Sequence, residues 1–267
     1  MAALCLTRAQ ALPVFMADNH AETFGWITRT FDPDDAFTLV LIDAHSDASA
    51  SERSEEMREG IRRVPDLATR AATVEKWRTE HRLQAFNWIE PLMPRPLDQV
   101  QWFAPASAGD PQTLNRGAIA LLDGRLEVEP RSSGPFAERW QTATLREFST
   151  WQPGQKPVIL AIDLDTFAEM SAEEADENFA GIWKHAMTLP DLRGVAFAIS
   201  RPWLKDDELA SRLIRMALRA VRHTRGATIE WDASVDDRPD DSLQATGLRQ
   251  KGAPVARWDL GSAAKQI

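Results

Sequence analysis

The sequence predicts an α/β fold in three layers, with a mostly parallel sheet flanked by helices. Three observations predict it. Short apolar runs recur along the chain without polar alternation, as expected of strands covered on both faces. Stretches with one apolar and one charged side lie between those runs, as crossover helices would. Two of the runs end abruptly in acidic residues, at the strand ends where open α/β sheets bind their ligands.

The strand candidates are Val14–Ala17, Thr38–Asp43, Gln99–Phe103, Ile119–Leu122, Val158–Asp163, Val195–Ser200 and Thr228–Trp231. The helix candidates are residues 20–31, 73–86, 171–189 and 206–226. In the first, Phe24, Ile27 and Phe31 share one face. The last starts with acid, ends with Arg and His, and has Gly226 where a C-cap would sit. Residues 104–157 are less regular and rich in Pro, Gly and Ser. They suggest a small antiparallel excursion, Gly117–Leu122 and Leu126–Glu129 around the hairpin signal "DG". Residues 232–244, "DASVDDRPDDSLQ", read as an acidic surface loop. With no internal repeat and no linker, the 267 residues are expected to form one domain, 1–267.

Composition excludes several function classes. The net charge of −9 argues against a nucleic-acid binder, which needs a basic face, and leaves a cationic substrate open. The single cysteine, Cys5, rules out an intramolecular disulfide and a thiolate metal cluster. The start of the chain lacks a clear signal-peptide pattern, and no run of about 18 apolar residues could span a membrane. The expected setting is cytoplasmic, with no membrane partner. Ten Trp and no Tyr are the compositional oddities.

The chemistry concentrates at strand tips. "LVLIDAHSD" runs from apolar residues into Asp43, His45 and Asp47, three metal-capable side chains at every second position. If the extended conformation persisted, all three would point to one side. "VILAIDLD" repeats the pattern with Asp163 and Asp165. "VFMADNH" adds His20 near a third tip. Carboxylates facing one another across a cleft repel unless a cation neutralises them. Two imidazoles and four carboxylates make a hard, oxygen-rich set that suits Mn²⁺ and has room for two ions if carboxylates bridge. Two ions about 3.5 Å apart can share a water and turn it into hydroxide near neutral pH.

These motifs resemble the arginase–agmatinase (ureohydrolase) superfamily, in which a D-A-H-x-D and a D-x-D strand end hold a binuclear manganese centre. The chain is more similar to a small related branch that includes peptide arginases. Its pieces here are Asp18-Asn19-His20, Asp43–Asp47, Asn87-Trp88-Ile89 and Asp163–Phe167, and the similarity spans residues 14 to about 204. The resemblance implies an arginase/deacetylase-like fold and two Mn²⁺. His20 and Asp47 would hold one ion, His45 and Asp165 the other, and Asp43 and Asp163 would bridge. It further implies that a metal-bridging hydroxide, held by Asp43 and Asp163, attacks a guanidinium carbon. A peptidyl arginine would then become ornithine with release of urea. The implied partner is a peptide substrate carrying arginine, and a homo-oligomer is possible within this family.

The chain departs from arginases at three points. "ASASERSEEMREGIRR" shows no proton-shuttling His, "VAFAISRPWL" has no guanidinium-binding glutamate, and no Pro follows the second acidic pair. Glu90 and Glu230 are candidate replacement carboxylates, and His81 is a candidate shuttle. Simpler readings stand beside these. His20 could be the first residue of a helix capped by Asp18 or Asn19. His81, His185 and His223 suit helix surfaces, and most Trp residues suit packing. Arg201 could reach the cleft or form an ordinary ion pair. A deacetylase-type amidohydrolase would use one Zn²⁺ and a Tyr oxyanion donor, which this chain lacks. A non-catalytic metal-binding protein is the remaining alternative.

Overall fold

The computed structural model describes residues 11–51, 53–124 and 135–232. Within them, β1 (Leu12–Ala17) leads into α1 (His20–Thr30) and β2 (Phe37–Ile42). Helices α2 (Ser54–Arg63) and α3 (Leu67–Thr79) precede β3 (Leu97–Ala104). Then come α4 (Pro111–Leu122), β4 (Trp140–Thr144), β5 (Val158–Asp163) and α5 (Ala172–Ala186). The described part closes with β6 (Leu192–Ala198), α6 (Asp207–Arg222) and β7 (Ala227–Trp231). The seven strands form one sheet in the order β4-β3-β2-β5-β6-β1-β7, and every pairing is parallel.

Strands β2 and β5 are buried on both faces, which is why they are apolar except for Thr38 in β2 and Asp163 at the tip of β5. Their side chains alternate between two cores. Met16, Ile42, Leu160 and Phe197 pack on one face under α5 and α6. Phe15, Leu41, Ala161 and Ala196 pack on the other under α1, α2, α3 and α4. The expected three-layer α/β architecture is therefore present. Gly194 in β6 allows one close approach: a Cβ there would lie 2.8 Å from the Trp26 ring of α1. No helix among the described residues is long and apolar enough to cross a membrane.

The sheet order positions the site. From β2 the chain moves outward through β3 and β4, then returns to place β5 against the other side of β2. The β2/β5 boundary is thus the topological switch point, where a crevice opens at the strand ends. Ile42 is in register with Ile162, so the residues that follow, Asp43 and Asp163, come side by side.

Several sequence expectations are corrected. Ile119–Leu122 is the last turn of α4, not a strand, so the hairpin around "DG" does not form; its other arm, Leu126–Glu129, lies outside the described residues. Asp110 caps α4 by accepting a hydrogen bond from the Thr113 N–H, and Pro111 suits the first helical turn. The helix expected over 73–86 instead spans α3 and stops at Thr79. Helix α2 and strand β4 were not anticipated. Helix α2 is highly charged and buries only Met57 and Ile61; β4 is a half-exposed edge strand. His223, not Gly226, ends α6, and Gly226 with φ of 77° starts the turn into β7. Of the acidic loop, 233–244 lies outside the described residues.

Candidate metal centre

The same local device shapes both acidic tips. Asp43 Oδ1 accepts a hydrogen bond from the His45 backbone N–H at 2.7 Å. Asp163 Oδ1 accepts one from the Asp165 backbone N–H at 3.0 Å. Each is an Asx-type turn, in which an aspartate side chain substitutes for a backbone acceptor. It turns the chain immediately after the strand and leaves the second oxygen, Oδ2, aimed into the site. The convergence of Asp43, His45 and Asp47 therefore does not come from continued extension. Strand β2 stops at Ile42, and Asp47 has φ of 50°, a left-handed conformation that Asp tolerates better than most residues.

The six residues singled out in the sequence lie close together, and five of them, all but Asp163, fall in two groups of candidate ligands. His20 Nδ1 lies 2.8 Å from Asp47 Oδ2, 3.3 Å from Asp43 Oδ2 and 3.7 Å from Asp163 Oδ2. His45 Nδ1 lies 3.1 Å from Asp165 Oδ2 and 3.7 Å from Asp43 Oδ1. Potential ligand atoms of His20, Asp43 and Asp47 fall within 4.8 Å of one another, and so do those of Asp43, His45 and Asp165. Asp43 belongs to both groups. His20 is the first residue of α1, behind Asn19, whose side chain accepts from the Ala21 N–H. It is both a helix-start residue and a member of the cluster.

The donor set fits divalent cations on physical grounds. Asp43 Oδ2 and both Asp165 carboxylate oxygens are buried and accept no hydrogen bond. Buried lone pairs of that kind are costly unless something else satisfies them. The charges of Asp43, Asp47, Asp163 and Asp165 would be balanced by two divalent ions.

Without cations, protons must take that role. Burial, reinforced by the neighbouring Asp47, pushes the Asp43 carboxyl up to about 7. Burial, with Asp165 and Asp43 close by, holds Asp163 well above the usual carboxylate range. For His45, burial alone would favour the neutral ring, but the Asp165 carboxylate 3.1 Å away outweighs it and raises the imidazole to about 10. His20 is likewise held above its ordinary value, since Asp43 and Asp47 outweigh its burial.

A pH dependence follows, with one sign for both of the groups with values. The Asp43 pKa rises from 3.8 to about 7 on folding. Across that window the folded state keeps a proton the unfolded chain has released, so stability falls as pH rises. The His45 pKa rises from 6.5 to about 10, so its contribution is complete below 6.5 and is lost as pH climbs toward 10. The metal-free protein is expected to melt at progressively lower temperature from about pH 5 to about pH 9. Mn²⁺ displaces these protons, so the rise in Tm on adding it should grow over the same range. Thermal melts with and without Mn²⁺ check both slopes; a metal-induced shift that shrinks with pH would contradict the ligand set.

Three neighbours hold the cluster in place. Trp88 Nε1 donates to Asp47 Oδ2 at 2.8 Å, and its ring lies 5.1 Å from that of His20. This gives the Trp of "NWI" a physical role: it orients one carboxylate and covers one imidazole. Asn87 accepts from the Gln84 N–H and so fixes the turn that presents Trp88. Trp102 Nε1 donates to the Asp43 carbonyl at 2.9 Å. Ser200 Oγ donates to Asp163 Oδ2 at 2.5 Å. Sequence reasoning missed Trp88, Trp102 and Ser200 as supports; the only signal was the position of Trp88 and Ser200 in or beside tip motifs.

Arg201 forms an ion pair with Asp18. Its Nη1 lies 2.9 Å from Asp18 Oδ1, and both side chains are buried. The remaining candidates are placed elsewhere. Glu90 is buried against Arg58, 3.0 Å away. Glu230 on β7 is exposed and pairs with Arg29. His81 follows α3 in a left-handed conformation, with its Nδ1 3.5 Å from Gln84 Nε2. None of the three joins either group of candidate ligands. Compared with protein-family models and with curated proteins, the chain matches none.

Proposed function

We propose that this protein is a binuclear manganese hydrolase that cleaves a guanidino group, converting a peptidyl arginine to ornithine and urea. The observation that carries the proposal is the sharing of Asp43 by two imidazole–carboxylate groups at the β2/β5 switch point. A binuclear centre needs such a shared carboxylate; a single-ion site does not. The motif order Asp18-Asn19-His20, Asp43–Asp47, Asn87-Trp88-Ile89 and Asp163–Phe167 supports the same reading through its resemblance to peptide arginases.

In this reading His20 and Asp47 would hold one ion and His45 and Asp165 the other, with Asp43 and Asp163 as shared carboxylates. When bound, the ions supply Lewis acidity and activate water near neutral pH. The chain's own residues do the rest. Trp88 and Ser200 keep Asp47 and Asp163 oriented, and the buried indoles of Trp88 and Trp102 exclude bulk water from the closed side. Overall, one water adds across the bond between the guanidinium carbon and the side-chain nitrogen. Its oxygen stays on carbon as the urea carbonyl, and both of its protons end on the departing nitrogen, which leaves as the ammonium group of ornithine. Glu90 and Glu230 serve Arg58 and Arg29, so substrate recognition is assigned to other residues.

The test is direct. Mn²⁺-loaded protein incubated with an arginine-containing peptide is expected to release urea and leave ornithine in the peptide, read by a urea assay and peptide mass. Absence of urea from arginine peptides, free arginine and agmatine alike would reject the proposal. One zinc per chain together with activity on acetyl-lysine would replace it with a deacetylase.

A further inference from the structure

The cluster is closed on nearly every side. His20, Asp43, Asp47, Asp163 and Asp165 are all buried, whereas 44% of the His45 side chain is exposed. A substrate must therefore arrive past His45. At that place stands Trp203, its ring centroid 4.6 Å from that of His45 and tilted by 42°. Trp203 is 41% exposed, one of three large apolar side chains exposed among the described residues. The other two, Leu67 and Leu121, lie on α3 and α4.

This indole is held out deliberately by a rigid turn. Ser200 has φ of 52°, its N–H donates to the Asp18 carbonyl at 2.6 Å, and its hydroxyl donates to Asp163. Arg201 is locked in the buried pair with Asp18, and Pro202 fixes the next backbone angle. The Trp203 N–H donates to the Ser200 carbonyl at 2.9 Å, and Leu204 is buried behind it. A turn tied down at both ends presents the Trp203 ring beside the mouth with little conformational freedom to lose on binding.

We propose that the exposed face of Trp203 is the recognition subsite for a planar cation, stacking on the guanidinium-bearing side chain of a peptidyl arginine as it enters past His45. The identity of the cation rests on the proposed function. An aromatic face attracts a cation without a carboxylate, and a flat guanidinium stacks on indole better than a compact ammonium does. The two carboxylates expected from sequence to bind the guanidinium are occupied by Arg58 and Arg29, which leaves the indole to do it. Trp203 would thus choose the substrate rather than perform chemistry on it.

The experiment compares Mn²⁺-loaded wild type, Trp203→Ala and Trp203→Phe. Calorimetric affinity is measured for three short peptides that differ only in a central arginine, lysine or norleucine. Where urea is released, KM and kcat are measured as well. The expected results are tightest wild-type binding of the arginine peptide, a loss of about tenfold in Trp203→Ala, and recovery of most of that loss in Trp203→Phe. The lysine and norleucine peptides should be much less affected, and Mn²⁺ content should be the same in all three proteins. Equal weakening for all three peptides, or loss of Mn²⁺ from Trp203→Ala, would overturn the proposal, since Trp203 would then be a general contact or a prop for His45. Failure of wild type to prefer the arginine peptide would overturn it too. Arginine-selective binding without urea would sink the hydrolase reading and leave the subsite standing. Urea release with unchanged KM and affinity in Trp203→Ala would do the reverse.

Discussion

Asp43→Asn is expected to abolish divalent-metal binding at the cluster and, with it, turnover. Asp43 is fully buried and belongs to both candidate ligand groups, so its loss should disturb both proposed ion sites at once. The substitution preserves shape, and the amide oxygen can still accept the His45 N–H that forms the turn. What changes is the second atom. Asp43 Oδ2, buried and without a hydrogen bond, becomes an NH₂ group that repels a cation. Wild-type protein in Mn²⁺ at about one hundred times Kd should gain about 2.7 kcal/mol of stability for each ion bound, seen as a higher Tm. The variant should gain none. Its metal-free form should be more stable than metal-free wild type, because one of four crowded carboxylates has gone. Metal analysis and thermal melts read both effects. Metal affinity within a few-fold of wild type would show that Asp43 is not a ligand.

Arg201→Ala is expected to cost about 3–5 kcal/mol of folding stability, the usual penalty for breaking a buried ion pair by removing one of its members. Arg201 and Asp18 are 3% and 1% exposed, so water cannot replace the missing guanidinium. The pair joins the tip of β1 to the loop after β6, which carries Ser200 and Trp203. Its loss should also loosen the Ser200 hydrogen bond to Asp163 and weaken metal binding. The double variant Asp18→Ala/Arg201→Ala should lose less than the two single losses added together, since it removes both charges. Denaturant unfolding with an unchanged m-value measures these differences. A single-variant cost below about 1 kcal/mol would mean that the pair is effectively solvated.

The fold was legible where burial leaves a continuous mark. Residues 39–42 and 158–162 are apolar because both faces of those strands are covered, and no helix of that length needs such a run. Legibility failed at the periphery. The sequence "WQTAT" pairs on one side only and keeps polar residues, so β4 left no apolar run. Ile119–Leu122 looks like a strand because four residues are too few to show helical period; the decisive signal was upstream, in Asp110-Pro111. Helix α2 hides its two inward residues among charges.

The site divides in the same way. The six candidate ligands stand out in the sequence because acids and imidazoles at apolar strand tips are chemically conspicuous. Their supports do not, because the partners of Trp88, Trp102, Ser200 and Arg201 lie far away in the sequence and nothing local gives them. Asp47 and Trp88 are 41 positions apart, and Asp163 and Ser200 are 37.

By itself, then, the sequence determined the layers, the strand tips and the donor chemistry, because these depend on local burial, local turns and residue type. Only the tertiary structure decided that β2 and β5 lie in register, so that Asp43 and Asp163 meet. It also decided that Glu90 and Glu230 are already paired, and that Trp203 flanks His45, the exposed member of the candidate ligand set. Those outcomes depend on which distant segments become neighbours. Strand order and side-chain pairing across the fold set that, and no periodicity within a single segment encodes it.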